Sequence, residues 1–276
     1  CDWVGYDVNM PKGLPGFAAN AAKLSFVLAA FHTTFNLANT AILVGPIKYL
    51  EKLVCIIIKP KANKDEDEFR LHFIQVGIMK TPELSVLEAS KEIKSFAERI
   101  QRMFGMVREL LGEKDTDKFT KLYSRIEKYE GISDNMEIEI AKYLDQVSNA
   151  HLSDETKEKV RSMLREISEL ESIGDACYNI ARTCSRLVNS KEDFTQEQYD
   201  HMHQMFELTD DALTQMNRIL VGHRQDNDVN RSFNIETEIN NYRNQLRSQN
   251  INDVNDHKYT YAVGTMYMDI IQECEK

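Results

Sequence analysis

Apolar and polar positions recur with a helical period along most of the chain, but the first strong signal is an almost uncharged run. From Phe17 to Val44 the only formally charged residue is Lys23, and the run exceeds the roughly 20 residues that cross a bilayer as a helix. A membrane helix is predicted there. Asn20, His32, Asn36 and Asn39 interrupt it. The last three share one helical face, which is expected to meet protein or a watery cavity instead of lipid. Ile47 to Ile58 is shorter and contains Lys48, Glu51 and Lys52, a pattern that suits an interfacial helix. Lys59, Lys61 and Lys64 follow, a basic flank of the kind retained on the cytoplasmic side, and then the acidic stretch Asp65 to Glu68. This order predicts an inner-membrane protein with everything after about residue 59 in the cytoplasm.

Beyond residue 81 the pattern predicts six helices, over 82–111, 115–151, 153–189, 196–225, 229–250 and from 254 onward. Pro82 behind Thr81 marks one start and Ser153 another. The second of these helices repeats apolar residues at alternating intervals of three and four: Phe119, Leu122, Ile126, Tyr129, Ser133, Met136, Ile140, Tyr143, Val147 and Ala150. The third does so with Met163, Ile167, Leu170, Gly174, Cys177, Ala181, Cys184 and Val188, whose small members permit close helix approach. Narrow seams of this kind belong to helical bundles.

Composition agrees with an all-α reading. In 276 residues there are only 11 Gly and 5 Pro, while 42% of positions are hydrophobic and 28% charged, a folding composition low in turn residues. The net charge of −10 argues against a nucleic-acid partner, which needs clustered Lys and Arg. Charge is also uneven: residues 1–64 are net basic, so all the acidic excess lies in the remainder. Cys1, Cys55, Cys177, Cys184 and Cys274 form no CxxC motif and are expected to be reduced core residues. The chain opens on Cys with no leader-like segment, which suggests a piece of a longer protein.

The chemistry lies beside the seams. Glu130 and Asp134 follow Tyr129 and Ser133 directly; Glu171 and Asp175 follow Leu170 and Gly174 in the same phase. Antiparallel packing of the two helices would bring both pairs to one stripe. The pattern recurs: Glu236 and Asn240 follow Ile235 and Ile239, and Glu275 follows Cys274. Nearly equal intervals separate Glu130 from Glu171 and Glu236 from Glu275, which indicates two diverged three-helix repeats. A single ExxxD is ordinarily the solvated shoulder of a seam. Recurrence in register points instead to clustered carboxylates that repel one another until a hard cation takes them as oxygen ligands.

Acidic ExxxD motifs twice per three-helix repeat, two repeats per domain, resemble PhoU, the regulator of bacterial phosphate uptake; ESIGDACYNIA, residues 171–181, is the nearest stretch. Residues 18–43 resemble the closing helix of the sodium/phosphate cotransporter family, with Ala30, His32, Phe35 and Asn36 matching its core pattern. Together these resemblances imply the C-terminal part of a sodium-dependent phosphate cotransporter. Its membrane domain would end at 1–58, a linker would occupy 59–80, and a PhoU-like domain 81–276, with repeat one at about 81–190 and a truncated repeat two at about 195–276.

The resemblance implies Glu130, Asp134, Glu171, Asp175, Glu236 and Glu275 as ligands of iron, manganese or magnesium, with Asn240 standing where an acid is expected. It implies that His32 and Asn36 support a transport core lying upstream, that sodium and inorganic phosphate are the full-length protein's ligands, and that a homodimer is compatible with the domain. Regulation, not catalysis, is the expected role. Two alternatives stay open: a membrane-tethered signalling or protein-interaction bundle without metal, and a ferritin-like metalloenzyme. The latter is disfavoured because its Glu-x-x-His pairs are missing, as are GxSxG and GxxxxGK.

Overall fold

The computed structural model describes residues 7, 11, 15, 17–44, 69–74, 81–149, 152–190, 192–222 and 228–276. The chain divides into two compact units, Cys1–Ala62 and Asn63–Lys276.

In the first unit Phe17–Val44 forms α1. Its described side chains are largely exposed, including Phe26, Leu28, Phe31, Phe35 and Leu37, and Phe31 stacks on Phe35 with ring centroids 6.1 Å apart. No helix among the described residues is long and apolar enough to cross a membrane. The span expected over 17–44 is therefore not supported: the helix forms, but His32, Thr33, Thr34, Asn36, Asn39 and Thr40 dilute its apolar content. Asn36 Nδ2 lies 3.4 Å from His32 Nε2, so the two polar residues singled out in the sequence do share a face. The interfacial helix expected over 47–58 and the basic flank at 59–64 lie outside the described residues.

The second unit contains α2 (Pro82–Leu111), α3 (Thr116–Ser148), α4 (Asp154–Ser190), α5 (Gln196–Leu220), α6 (Asp228–Asn255) and α7 (Tyr261–Glu275). Four of these starts, those of α3, α4, α5 and α7, follow from side chains that satisfy otherwise orphaned amides. Asp115 accepts from the amides of Asp117 and Lys118, Ser153 Oγ from that of Thr156, and Thr260 Oγ1 from that of Val263. Thr195 and Gln198 form a capping box. The division between the last two helices falls later than the sequence suggests, at 256–260, with His257 in the left-handed region (φ 57°). Asn250 holds the end of α6 in place: its Nδ2 donates to the carbonyl of Gly264 and its Oδ1 accepts from Tyr259.

Helices α2, α3 and α4 pack pairwise as one three-helix bundle, and α5, α6 and α7 as a second; α4 against α7 and α2 against α5 join them. One core cluster is centred on the first bundle, around Phe96, Ile140 and Ile167, with Met216 and Leu220 of α5 packed against it. The other runs through both bundles, with Phe104, Tyr129, Ile180, Phe206, Leu246 and Ile271 buried together. At the junction, Phe104 and Phe206 meet edge to face with centroids 5.4 Å apart.

The seam of α3 is buried from Phe119 to Val147 much as its heptads predict. In α4 the buried stripe drifts: Ile180 and Leu187 enter it, and Val188, expected on it, is 53% exposed. Such drift is what a straight helix of 3.6 residues per turn shows against a strict seven-residue repeat. Ahead of α2, the segment 69–74 is tied to the bundle by Glu92, whose Oε2 accepts the amides of His72, Phe73 and Ile74 at 2.9, 2.7 and 3.3 Å. Cys177, Cys184 and Cys274 are buried free thiols, and burial pushes the first two up to about 12.

Candidate metal centre

The two acidic helices meet at a close crossing. A Cβ placed on Gly174 of α4 would stand 2.8 Å from Ser133 Oγ and 3.2 Å from Ile100 Cδ1, so glycine lets α4 lie this near α3 without displacing either side chain. Ser133 and Gly174 each precede an aspartate. Close approach of the seam therefore carries Asp134 and Asp175 toward each other on its shoulder.

Glu130, Asp134 and Asp175 each offer an oxygen, and these atoms lie within 4.8 Å of one another. All three residues are half-buried. Glu130 is pushed above the ordinary carboxylate range by burial first and then by Asp134, Asp175 and Glu127. Asp134 is raised by burial and by Asp175. Among the described residues no Lys or Arg forms an ion pair with any of the three. Three mutually repelling carboxylates drawn from two helices form an all-oxygen donor set, which fits a hard cation such as iron(III), manganese or magnesium and does not fit a thiophilic metal.

Glu171, expected as a fourth ligand, is one turn earlier on α4 and outside this group of three. It too is raised, by burial, Asp175, Glu137 and Asp134, while a weak hydrogen bond from Ser172 acts the other way. Two neighbours escaped the sequence reading: Glu127 and Glu137, one turn before Glu130 and one turn after Asp134, extend the acidic face of α3. Their spacing of three from the chosen acids was the available signal. Tyr178 donates to Glu127 across the helix pair at 3.2 Å, which closes one end of the stripe.

The second stripe differs. Glu236 and Asn240 on α6 and Glu275 on α7 line a common cavity of about 270 Å³ whose inner walls are apolar, with Ile173, Ala176, Ile235 and Ile239 among them. Arg243, one turn beyond Asn240, donates through Nη2 to Asn240 Oδ1 at 2.9 Å and to Glu275 Oε1 at 3.2 Å. The sequence reading passed over this arginine because only acids were sought at the repeat positions. His32 and Asn36 lie in the other unit.

No curated protein matches the sequence. The family model described as "PhoU domain" matches residues 93–184, from the middle of α2 to near the end of α4, and so contains Glu130, Asp134, Glu171 and Asp175. Among solved structures, the phosphate transport system regulatory protein PhoU from Streptococcus pneumoniae is similar, with a TM-score of 0.59 at 19% identity. The match covers 70% of this chain and 88% of that one. The chain thus has an all-helical, PhoU-like fold, within which residues 93–184 match the PhoU domain model.

Proposed function

We propose that residues 63–276 form a regulatory domain of phosphate transport that works through a cation held by Glu130, Asp134 and Asp175, with Glu171 beside them. The observation that carries this reading is the convergence of three carboxylates from α3 and α4 with no basic side chain ion-paired to them among the described residues. The solved PhoU named above is the regulatory protein of a phosphate transport system, which supports the same direction.

When bound, the cation, iron, manganese or magnesium, supplies Lewis-acid positions able to take phosphate oxygens. The protein's part is to hold the ligands. Gly174 and Ser133 fix the helix separation, and burial keeps the carboxylates in a setting where their mutual repulsion is felt. Glu130, Asp134 and Asp175 would hold the cation, whose charge would offset their mutual repulsion across the α3–α4 pair, and a membrane phosphate transporter would be the partner that reads the difference. The sodium and phosphate of the transport step belong to that partner, and the domain works on the cytoplasmic side of the inner membrane. Regulation needs no catalytic group of its own.

The test is metal content. The purified chain, loaded with iron or manganese and desalted, is expected to retain metal by elemental mass spectrometry, and Asp134→Asn with Asp175→Asn is expected to lose it. A folded protein that takes up neither ion nor magnesium defeats the reading and leaves a protein-interaction bundle as the account.

A further inference from the structure

We infer that Arg243 supplies the positive charge of the second acidic stripe, so that Glu236, Asn240 and Glu275 hold no metal ion and the two repeats are functionally unequal. This rests on the reading of the first stripe as a cation centre, and the difference between the two is visible in the side chains.

In the first stripe, three carboxylates face one another with no ion pair among the described residues. In the second, one of the acid positions is the neutral Asn240, and the guanidinium of Arg243 bridges it to Glu275. The arginine side chain is 22% exposed and its partner carboxylate 31%. A charge withdrawn this far from water is stable only beside a compensating charge, and Glu275 provides it. A metal ion bound between Glu236 and Glu275 would sit next to that guanidinium and repel it. It would also have to displace the hydrogen bond from Arg243 to Glu275 Oε1, which leaves that oxygen with less to offer a metal.

The stripe therefore stays closed by a cation built into the chain. Because an arginine is charged at every physiological pH and cannot dissociate, Glu275 is paired permanently, whereas the carboxylates of the first half would be offset only when metal is bound. Only one repeat can respond to ion supply.

The experiment counts Mn²⁺ on the purified chain by elemental mass spectrometry and by titration calorimetry. Wild type is expected to bind Mn²⁺ in an amount unchanged by Glu236→Gln with Glu275→Gln. Arg243→Met, or Arg243→Gln should the first variant fold poorly by circular dichroism, is expected to take up one further equivalent. That extra equivalent should disappear when the two Glu→Gln changes are added. Arg243→Lys, which keeps the charge, should gain none. Loss of Mn²⁺ from wild type on the two Glu→Gln changes overturns the inference, and so does failure of folded Arg243→Met or Arg243→Gln to gain any. A wild type without Mn²⁺ beside an Arg243→Met protein that binds one equivalent, sensitive to the Glu→Gln changes, defeats the first-stripe centre and sustains this inference.

Discussion

Gly174 and the carboxylates around it set the behaviour of the candidate centre. Gly174→Ala adds helix propensity worth about 1 kcal/mol. Against this, the new Cβ has Ser133 Oγ at 2.8 Å and Ile100 at 3.2 Å, and overpacking of a tight contact costs about 1–3 kcal/mol. The second effect is the larger. Urea denaturation of Gly174→Ala is expected to show a net loss of about 1 kcal/mol, and Ser133→Ala in the same chain should restore much of it, because it removes the nearest clashing atom. The carboxylates make a separate prediction about pH. Glu130, Asp134 and Glu171 are raised above their unfolded values of 4.5, 3.8 and 4.5, so in that range the folded state binds more protons than the unfolded one. Stability of the metal-free protein then falls as pH rises from about 4 through the raised values. Thermal melts should show this decline in wild type and a flatter profile in Asp134→Asn with Glu130→Gln. Equal slopes for the two proteins would argue against the repulsion described here.

At the scale of elements, what the sequence made legible was what local chemistry controls. Two helix starts were readable because Ser153 Oγ accepts the amide of Thr156 within its own turn and Pro82 takes the first helical position, where an amide donor is not needed. The α3 seam was readable because one face of that helix is buried along its length. The later end of α6 was not, since Asn250 and Asp253 look like breakers until Gly264, Tyr259 and Lys258 are seen to satisfy them from across the turn. Val188 was misjudged on the seam because a fixed heptad cannot follow helical drift. Glu130, Asp134 and Asp175 could be found from register alone. Arg243 could not, because its meaning depends on reaching α7, far along the sequence from it.

For the molecule as a whole, the two bundles of the second unit depend on a few large contacts. Phe206 is fully buried and meets Phe104 across α5 and α2. Phe206→Ala is expected to cost about 3–5 kcal/mol in equilibrium denaturation. Val229→Ala, at a side chain 66% exposed, should change stability by less than about 0.5 kcal/mol. A loss at Phe206 no larger than that at Val229 would mean that the two bundles are not held through this contact. The Glu92 anchor has its own consequence at this scale. Three successive amides hang from one oxygen of a fully buried carboxylate, and its other oxygen makes no hydrogen bond among the described residues. Tension on the segment 69–74 is therefore passed to those three bonds and enters α2 about three turns inside the helix. Mechanically the anchor is a strain relief, like the clamp on a cable: a pull on that segment loads the middle of α2.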